Sequence, residues 1–220
     1  MTGFKPQEFD GNPEPRCACM LLLDTSGSMD GEPIRQLNEG LAQFERELKN
    51  NDLARLRVEV GIITFGNGGV NCQQEFVTAD NFIAPILSAN GATPMGGAVN
   101  LAINKIEERK TFYKTSGLDY YRPWIFMITD GGPTDGEIWK QAASMSKSKE
   151  SAKGVAFFSV GVQGADMEVL KTFSNRPPVL LKGLAFSELF QWLSKSMAKV
   201  SESKPGDQVS LNPIESWATV

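Results

Sequence analysis

An acidic residue and several hydroxyl groups follow the first long apolar run of the chain. The run CACMLLL is followed at residues 24–29 by DTSGSM. The alternation D-x-S-x-S lets Asp24, Ser26 and Ser28 leave a strand pointing the same way, while Gly27 allows a tight backbone turn between the serines. Such a cluster fits a nucleophile site, a phosphate cradle, a metal site or a turn rich in Asp and Ser.

Two later glycine-rich segments carry oxygen-bearing side chains of the same kind. The segment GATPMGG contributes Thr93, and the segment TDGGPTDG contributes Asp130. Together with the first segment they form a set of oxygen donors without nitrogen or sulfur, and such hard donors suit Mg²⁺, Mn²⁺ or Ca²⁺. The sequence therefore predicts a metal site, with Mg²⁺ preferred, built from Asp24, Ser26, Ser28, Thr93 and Asp130.

Several rival motifs fit these segments worse. An EF-hand loop beginning at Asp24 requires glycine at its sixth position and glutamate at its twelfth, where the chain has Met29 and Arg35. Neither glycine-rich turn has the lysine of a Walker loop, and GATPMGG lacks the G-x-G-x-x-G order of a dinucleotide site. The chain has 0 histidines, which excludes Ser/His/Asp and Cys/His hydrolases.

Three alternatives remain open. Ser28 or Asp30 is also suited to capping the helix that follows, which is the usual role of a lone D-x-S-x-S turn. Asp135 is either a further acidic ligand or a turn or capping residue. The alternative function is a Mg²⁺-dependent phosphoryl-transfer enzyme with Asp24 as nucleophile, although the place of a second acid in a D-x-D phosphatase motif holds Ser26.

The hydrophobic pattern predicts an α/β fold. Apolar strands, such as Trp124 to Thr129, alternate with amphipathic helices, such as the one from about Glu32 to about Asn50. This alternation predicts a doubly wound, mostly parallel central sheet with helices on both faces, and the hairpin through GNGG adds one antiparallel edge strand. The three polar segments should meet at the carboxyl ends of the strands, where such sheets bind ligands.

Composition limits the remaining possibilities. The chain of 220 residues, with 41% hydrophobic residues, predicts one domain at 15–200 between an N-terminal extension at 1–14 and a polar tail at 201–220. A net charge of −4 without a block of Lys and Arg residues argues against a nucleic-acid partner. The sequence has no apolar run long enough to cross a membrane and no signal peptide at its start, which predicts a cytoplasmic protein. Cys17 and Cys19 are expected to be buried free thiols. The oligomeric state stays open.

The tail, SESKPGDQVSLNPIESWATV, is expected to be extended and dispensable for the fold because of its proline, glycine and polar residues. Its apolar residues, Leu211, Ile214 and Trp217, are expected to dock on the domain or on a partner.

The segments DTSGSM, GATPMGGA and TDGGPTD, in this order, resemble the metal-ion-dependent adhesion site (MIDAS) of von Willebrand factor A (vWA) domains. The resemblance implies that Ser26, Ser28 and Thr93 are direct or near-direct Mg²⁺ ligands, and that Asp24 and Asp130 act largely through water or hydrogen bonds. It also implies a non-enzymatic domain that binds an Asp or Glu carboxylate of a partner protein. A narrower resemblance to bacterial TerY-like proteins implies a scaffold or adaptor in tellurite resistance or stress response.

Overall fold

A seven-stranded sheet forms the centre of the protein. The computed structural model describes residues 12–66 and 68–219, so most of the predicted extension at 1–14 lies outside the described residues. The strand order is β3-β2-β1-β4-β5-β6-β7. In chain order the strands are β1 (Cys17–Thr25), β2 (Val58–Gly66), β3 (Gly69–Thr78), β4 (Trp124–Thr129), β5 (Ala156–Gly161), β6 (Val179–Leu181) and β7 (Ala218–Thr219).

The helices cover both faces of this sheet. They are α1 (Glu32–Lys49), α2 (Ala54–Arg57), α3 (Met95–Thr115), α4 (Ile138–Ser151), α5 (Met167–Leu170) and α6 (Phe186–Glu202). Helices α1 and α6 pack on one face and share a core with Cys19 and Leu21 of β1. Helices α3 and α4 pack on the other face against Met20 and Leu22. Alternate residues of β1 thus enter opposite cores, which is why its sequence is apolar throughout.

The predicted fold class is confirmed. Strands β1, β2, β4, β5 and β6 are parallel, and β3 pairs with β2 as the predicted antiparallel edge strand. The strand order reverses between β1 and β4, so the carboxyl ends of these two neighbours form the topological switch point at which open α/β sheets bind ligands. We refer to this border of the sheet as the carboxyl edge.

Some element boundaries differ from the sequence-based expectation. The helical spacing of Val99, Ile103 and Ile106 predicts a helix from Met95 to about Lys110, and helix α3 continues about a turn further, to Thr115. The segment ADMEVLKTFS is also predicted to be a helix, but only its residues Met167–Leu170 form one, the short helix α5. Asp166 caps α5 by accepting a hydrogen bond from the Val169 backbone N–H over 3.0 Å. No helix in the described part of the chain is long and apolar enough to cross a membrane.

The tail packs on the domain and joins the sheet, an arrangement that argues against the expectation that it is dispensable for the fold. Helix α6 extends past residue 200 to Glu202, and the chain returns to add β7 to β6 as an antiparallel strand. Trp217 is only 1% exposed and lies against Trp192 at a ring-centroid distance of 5.3 Å. Its docking on the domain fits one of the two roles that the sequence left open. The sequence showed the apolar residues of the tail but not the sheet edge that receives them.

The cysteines are free thiols in the described structure, and Cys17 and Cys19 are buried on the same face of β1 as predicted. Burial raises the pKa of the Cys19 thiol to about 12 and raises that of Cys17 further. Both thiols are therefore packing groups without reactivity near neutral pH.

Candidate metal centre

Asp24 lies near the end of β1 and is fully buried. Its Oδ1 accepts a hydrogen bond from the Ser26 backbone N–H over 2.8 Å, and its Oδ2 accepts one from the Thr129 hydroxyl at the end of β4. Burial raises the pKa of the Asp24 carboxyl, and these hydrogen bonds oppose that rise. Asp24 thus holds the turn after β1 in place and connects it to the neighbouring strand.

Ser26, Ser28 and Asp130 form a connected chain of oxygen atoms. The two serine Oγ atoms are 3.1 Å apart, and the Ser28 hydroxyl donates to Asp130 Oδ1 over 2.7 Å. Adjacent ligands of an octahedral Mg²⁺ with bonds of ~2.1 Å are about 3 Å apart. The observed separations lie on either side of that value, so the oxygens of these three side chains are close enough to border one small cation, directly or through hydrogen bonds.

Thr93 reaches the same place from the loop before α3. A Cβ built on Gly131 would lie 3.5 Å from Thr93 Oγ1, so this hydroxyl lies beside the residue that follows Asp130. The loop is held against the turn after β1 by two backbone hydrogen bonds, from Asn90 N–H to the Thr25 carbonyl over 2.8 Å and from Gly27 N–H to the Gly91 carbonyl over 3.0 Å. All three predicted segments therefore converge at the carboxyl edge.

One glycine of β2 makes this convergence possible. A Cβ on Gly66 would lie 2.1 Å from the Thr25 carbonyl carbon and 2.3 Å from the Ser26 backbone nitrogen, and its φ of +153° is rarely adopted by other residues. The turn that carries Ser26 can therefore pass beside β2 only because this position has no side chain.

Two threonines contribute to the centre without having been predicted. Thr129 bonds to Asp24 and also accepts from the Gly131 backbone N–H over 3.2 Å. Thr134 Oγ1 accepts from the Thr93 backbone N–H over 2.9 Å, and the Thr134 backbone N–H donates to the Thr93 carbonyl over 2.9 Å. Their positions within TDGGPTD were the available signal, since both belong to the segment that supplies Asp130.

The structure decides which of the candidate residues cap helices. The residue before α1 is Gly31, and no side chain caps this helix, so neither Ser28 nor Asp30 has the capping role. Asp135 Oδ2 accepts from the Gly97 backbone N–H over 2.9 Å in the first turn of α3. Asp135 is therefore a capping residue, which is one of the two roles considered for it, and it connects the TDGGPTD segment to α3.

The centre is buried at its base and open above. Ser26, Thr93 and Asp130 are 2%, 6% and 9% exposed, whereas Ser28 is exposed. Within 12–66 and 68–219 no group of three or more His, Cys, Asp or Glu side chains is placed to hold a metal ion. A cation at this edge would therefore depend on the serine and threonine hydroxyls, and the hard oxygen donors present fit Mg²⁺, Mn²⁺ or Ca²⁺.

The environment of Asp24 argues against a nucleophilic role. Its carboxylate has no solvent exposure, and both of its oxygens already accept hydrogen bonds. An attacking carboxylate needs a lone pair directed at an open substrate position. The geometry favours a positioning role for this residue.

Comparison with known proteins agrees with this architecture. The model of the family described as von Willebrand factor type A domain matches residues 19–191. A curated relative, inter-alpha-trypsin inhibitor heavy chain H2 of Mesocricetus auratus, is 24% identical over 178 residues, covering 78% of this chain. The chain spans only 18% of the length of that relative.

Solved structures show the same fold at low sequence identity. The pilus adhesin SpaC of Lactobacillus rhamnosus GG has a TM-score of 0.68 at 17% identity, covering 86% of this chain and 32% of the adhesin. The vWF domain of the type V pili tip protein Mfa5 of Porphyromonas gingivalis has a TM-score of 0.62 at 10% identity, covering 89% of this chain and 99% of that domain. Because the family model spans most of the sheet and its helices, the chain belongs to the von Willebrand factor type A domain family.

Proposed function

We propose that the protein is a non-enzymatic binding domain that holds Mg²⁺ at the carboxyl edge and recognises a carboxylate of a partner protein. The observation that supports this most directly is the convergence of Ser26, Ser28 and Asp130 at distances suited to one small cation. Mn²⁺ and Ca²⁺ are the alternative ions, because they accept the same oxygen donors.

The residues divide into ligands and positioning groups. Ser26, Ser28 and Thr93 would supply hydroxyl oxygens to the ion. Asp24 holds the turn of Ser26 through its backbone N–H, and Asp130 accepts from Ser28. When bound, the ion would supply positive charge that neutral hydroxyls do not neutralise.

A carboxylate is the ligand that this environment favours. The exposed side of the centre lies at Ser28, and the first turn of α3, whose N-terminus carries partial positive charge, begins just after Thr93. Mg²⁺ prefers six oxygen ligands, so an Asp or Glu side chain of a partner would complete the set. The names of two structural neighbours, a pilus adhesin and a pili tip protein, agree with an interaction role for this fold.

The cellular setting is a separate part of the proposal. A scaffold or adaptor role in a bacterial tellurite-resistance or stress-response system in the cytoplasm rests on the resemblance of the three motifs to TerY-like proteins. It is tested by affinity capture from the source cells with and without EDTA. Capture of partners that EDTA does not release would contradict a metal-dependent role there.

The metal site is tested by thermal unfolding with Mg²⁺ or EDTA. A ligand that binds only the folded state at a concentration of about 100 Kd adds about 2.7 kcal/mol to the free energy of unfolding. The wild-type protein should melt at a higher temperature with Mg²⁺, whereas Ser26→Ala and Thr93→Ala should lose the difference. Ser144→Ala is the matched control, because Ser144 is an exposed serine of α4 that belongs to none of the three converging segments. A melting temperature that Mg²⁺ and EDTA leave unchanged would contradict the site.

The partner carboxylate is tested with the captured partner. Binding should vanish in EDTA and return with Mg²⁺ or Mn²⁺, and a Glu→Gln or Asp→Asn change at the contacting residue of the partner should abolish it, because a neutral amide loses the charge attraction. Equal binding by wild type, Ser26→Ala and Thr93→Ala would place the interface elsewhere. Turnover of a phosphate ester with Mg²⁺, lost in Asp24→Asn, would support the phosphoryl-transfer alternative instead.

A further inference from the structure

A cavity lies at the end of the sheet opposite the proposed metal centre. It has a volume of about 820 Å³ and is lined by the first residues of β4 and β5, the end of α3 and residues 206–209 of the tail. Small-molecule sites typically enclose about 300–1,000 Å³. We refer to this cavity as the basal groove; it shares no residue with the carboxyl edge.

Aromatic rings line one side of the basal groove. The rings of Trp124 and Phe158 lie at a centroid distance of 4.8 Å, and both residues border the cavity. The guanidinium carbon of Arg176 lies 5.0 Å from the centroid of the Phe158 ring. Trp124 is 5% exposed and Phe158 is half-buried. The accessible flat apolar surface is thus mainly that of Phe158, and it lies beside a cationic group, an arrangement that suits an aromatic ligand with negative charge.

The groove carries an excess of positive charge. Its lining includes the basic residues Lys110, Lys114, Arg122, Lys153 and Arg176, against a single carboxylate, that of Asp207. Two of the five cations are paired with glutamates, Lys110 with Glu107 at 3.0 Å and Arg176 with Glu150.

The other three basic residues have no salt bridge within the described ranges 12–66 and 68–219. Lys114 and Lys153 are exposed at the mouth, so their ammonium groups remain available to an anion. Arg122 is fixed by donating to the Val155 carbonyl over 2.7 Å and to the Glu150 carbonyl over 2.8 Å. Burial and the neighbouring Arg176 charge lower the pKa of Arg122, as expected where positive charge is concentrated.

The backbone places one of these lysines in an uncommon conformation. Lys153 has a φ of +57° and is the only residue of the described chain other than glycine with a positive φ. Its backbone N–H donates to the Glu150 carbonyl over 2.9 Å, and that of Gly154 donates to the Lys149 carbonyl over 2.9 Å. Helix α4 thus ends in a left-handed turn, usually made by glycine or asparagine, that carries a lysine at the mouth of the groove.

We propose that the basal groove is a second binding site, for a small aromatic anion whose ring packs on Phe158 beside Trp124 and whose acidic group is bound by Lys114, Arg122 and Lys153. Charge complementarity selects an anion, and the aromatic side of the groove selects one with a flat apolar part. This site is independent of the proposed metal-dependent function.

The proposal is tested with 8-anilinonaphthalene-1-sulfonate, an aromatic anion, as a fluorescent probe of the full chain. We expect saturable binding of one molecule per chain. The double variant Lys114→Gln/Lys153→Asn should weaken it by at least about tenfold, the factor that corresponds to one charge-assisted hydrogen bond. Asparagine tolerates the left-handed conformation, so Lys153→Asn removes the charge without straining the turn. N-phenyl-1-naphthylamine, which lacks the sulfonate, should bind at least about tenfold more weakly than the anionic probe.

Two controls make the result specific. Lys195→Gln removes an exposed lysine of α6 that does not line the groove, and it should leave probe affinity unchanged. Ile86→Ser removes the most exposed large apolar side chain among the residues that the structure describes, at 92% exposure, and should also have no effect. Loss of binding in Ile86→Ser, unchanged affinity in the double variant, or equal affinity for the neutral probe would each overturn the proposal. Thermal melting of every variant confirms that it is folded.

Discussion

Replacing Trp217 by alanine should strongly destabilise the protein, although the residue lies three positions from the end of the sequence. The side chain is 1% exposed and packs on Trp192, and the residue leads directly into β7. Its backbone carbonyl accepts from Lys182 N–H over 2.8 Å, which fixes this part of the tail to the chain after β6. Trp→Ala changes at such buried sites cost about 3–5 kcal/mol, because the removed ring leaves a cavity.

The indole N–H provides a matched control. Trp217 Nε1 is buried, and no group in the described part of the chain accepts its hydrogen. A buried unsatisfied donor costs about 1–3 kcal/mol, so Trp217→Phe regains that cost while losing some packing. The free energy of unfolding of Trp217→Phe should therefore stay within about 1 kcal/mol of wild type, from these opposing contributions.

Equilibrium urea unfolding, followed by circular dichroism, measures both variants. The expected order of midpoints is wild type close to Trp217→Phe, with Trp217→Ala far below. The packing of the tail would be refuted if Trp217→Ala unfolded at the wild-type midpoint with an unchanged slope. A chain ending at residue 200 would then be expected to melt like the full chain, as the composition of the tail alone predicts.

Three further predictions concern other parts of the fold. Gly66→Ala should destabilise the protein and abolish its stabilisation by Mg²⁺, because the added Cβ would lie 2.1 Å from the Thr25 carbonyl carbon. Thermal melting compares this variant with Gly132→Ala, whose added Cβ would have no other atom within 4 Å. Glu59→Gln should cost about 3–5 kcal/mol in urea unfolding because the buried Arg109 loses its partner at 2.6 Å, whereas the exposed Glu108→Gln should be neutral. Burial raises the pKa of the Cys19 thiol from 9.0 to about 12. Because the unfolded chain loses this proton at a lower pH than the folded chain does, the free energy of unfolding should fall as the pH rises from 9.0 toward about 12. The free energy of unfolding should fall by up to about 1.4 kcal/mol per pH unit for each buried thiol. Urea unfolding at pH 8 and pH 10.5 should therefore show a smaller fall in Cys19→Ala than in wild type, by the contribution of one thiol.

The sequence predicted the sheet well because its strands are buried on both faces. The run before Asp24 and the strand from Trp124 to Thr129 are apolar throughout, and helix α1 has apolar residues at helical spacing, so local pattern and final packing agree. The convergence of Ser26, Ser28 and Asp130 was predictable for a related reason, since these residues follow the ends of the neighbouring strands β1 and β4.

Other features depended on contacts between distant segments. The roles of Thr129 and Thr134 arise from hydrogen bonds to Asp24 and Thr93, which lie in other segments of the chain. Strand β7 has only two residues and forms because Trp217 finds a buried position beside Trp192. The composition of the tail predicted that Trp217 docks on the domain or on a partner, but it did not indicate the sheet edge beside β6 that receives it.

The antiparallel pairing of β7 has a mechanical consequence. Because β7 runs opposite to β6, it runs away from the carboxyl edge, and its last residue, Thr219, lies toward the end of the sheet where β1 begins. A pulling force applied between Cys17 and Thr219 would act on the two-residue edge strand β7 on one side and on the central strand β1 on the other. We expect β7 to detach first, one hydrogen bond at a time, while the turns around Ser26, Thr93 and Asp130 stay assembled under load.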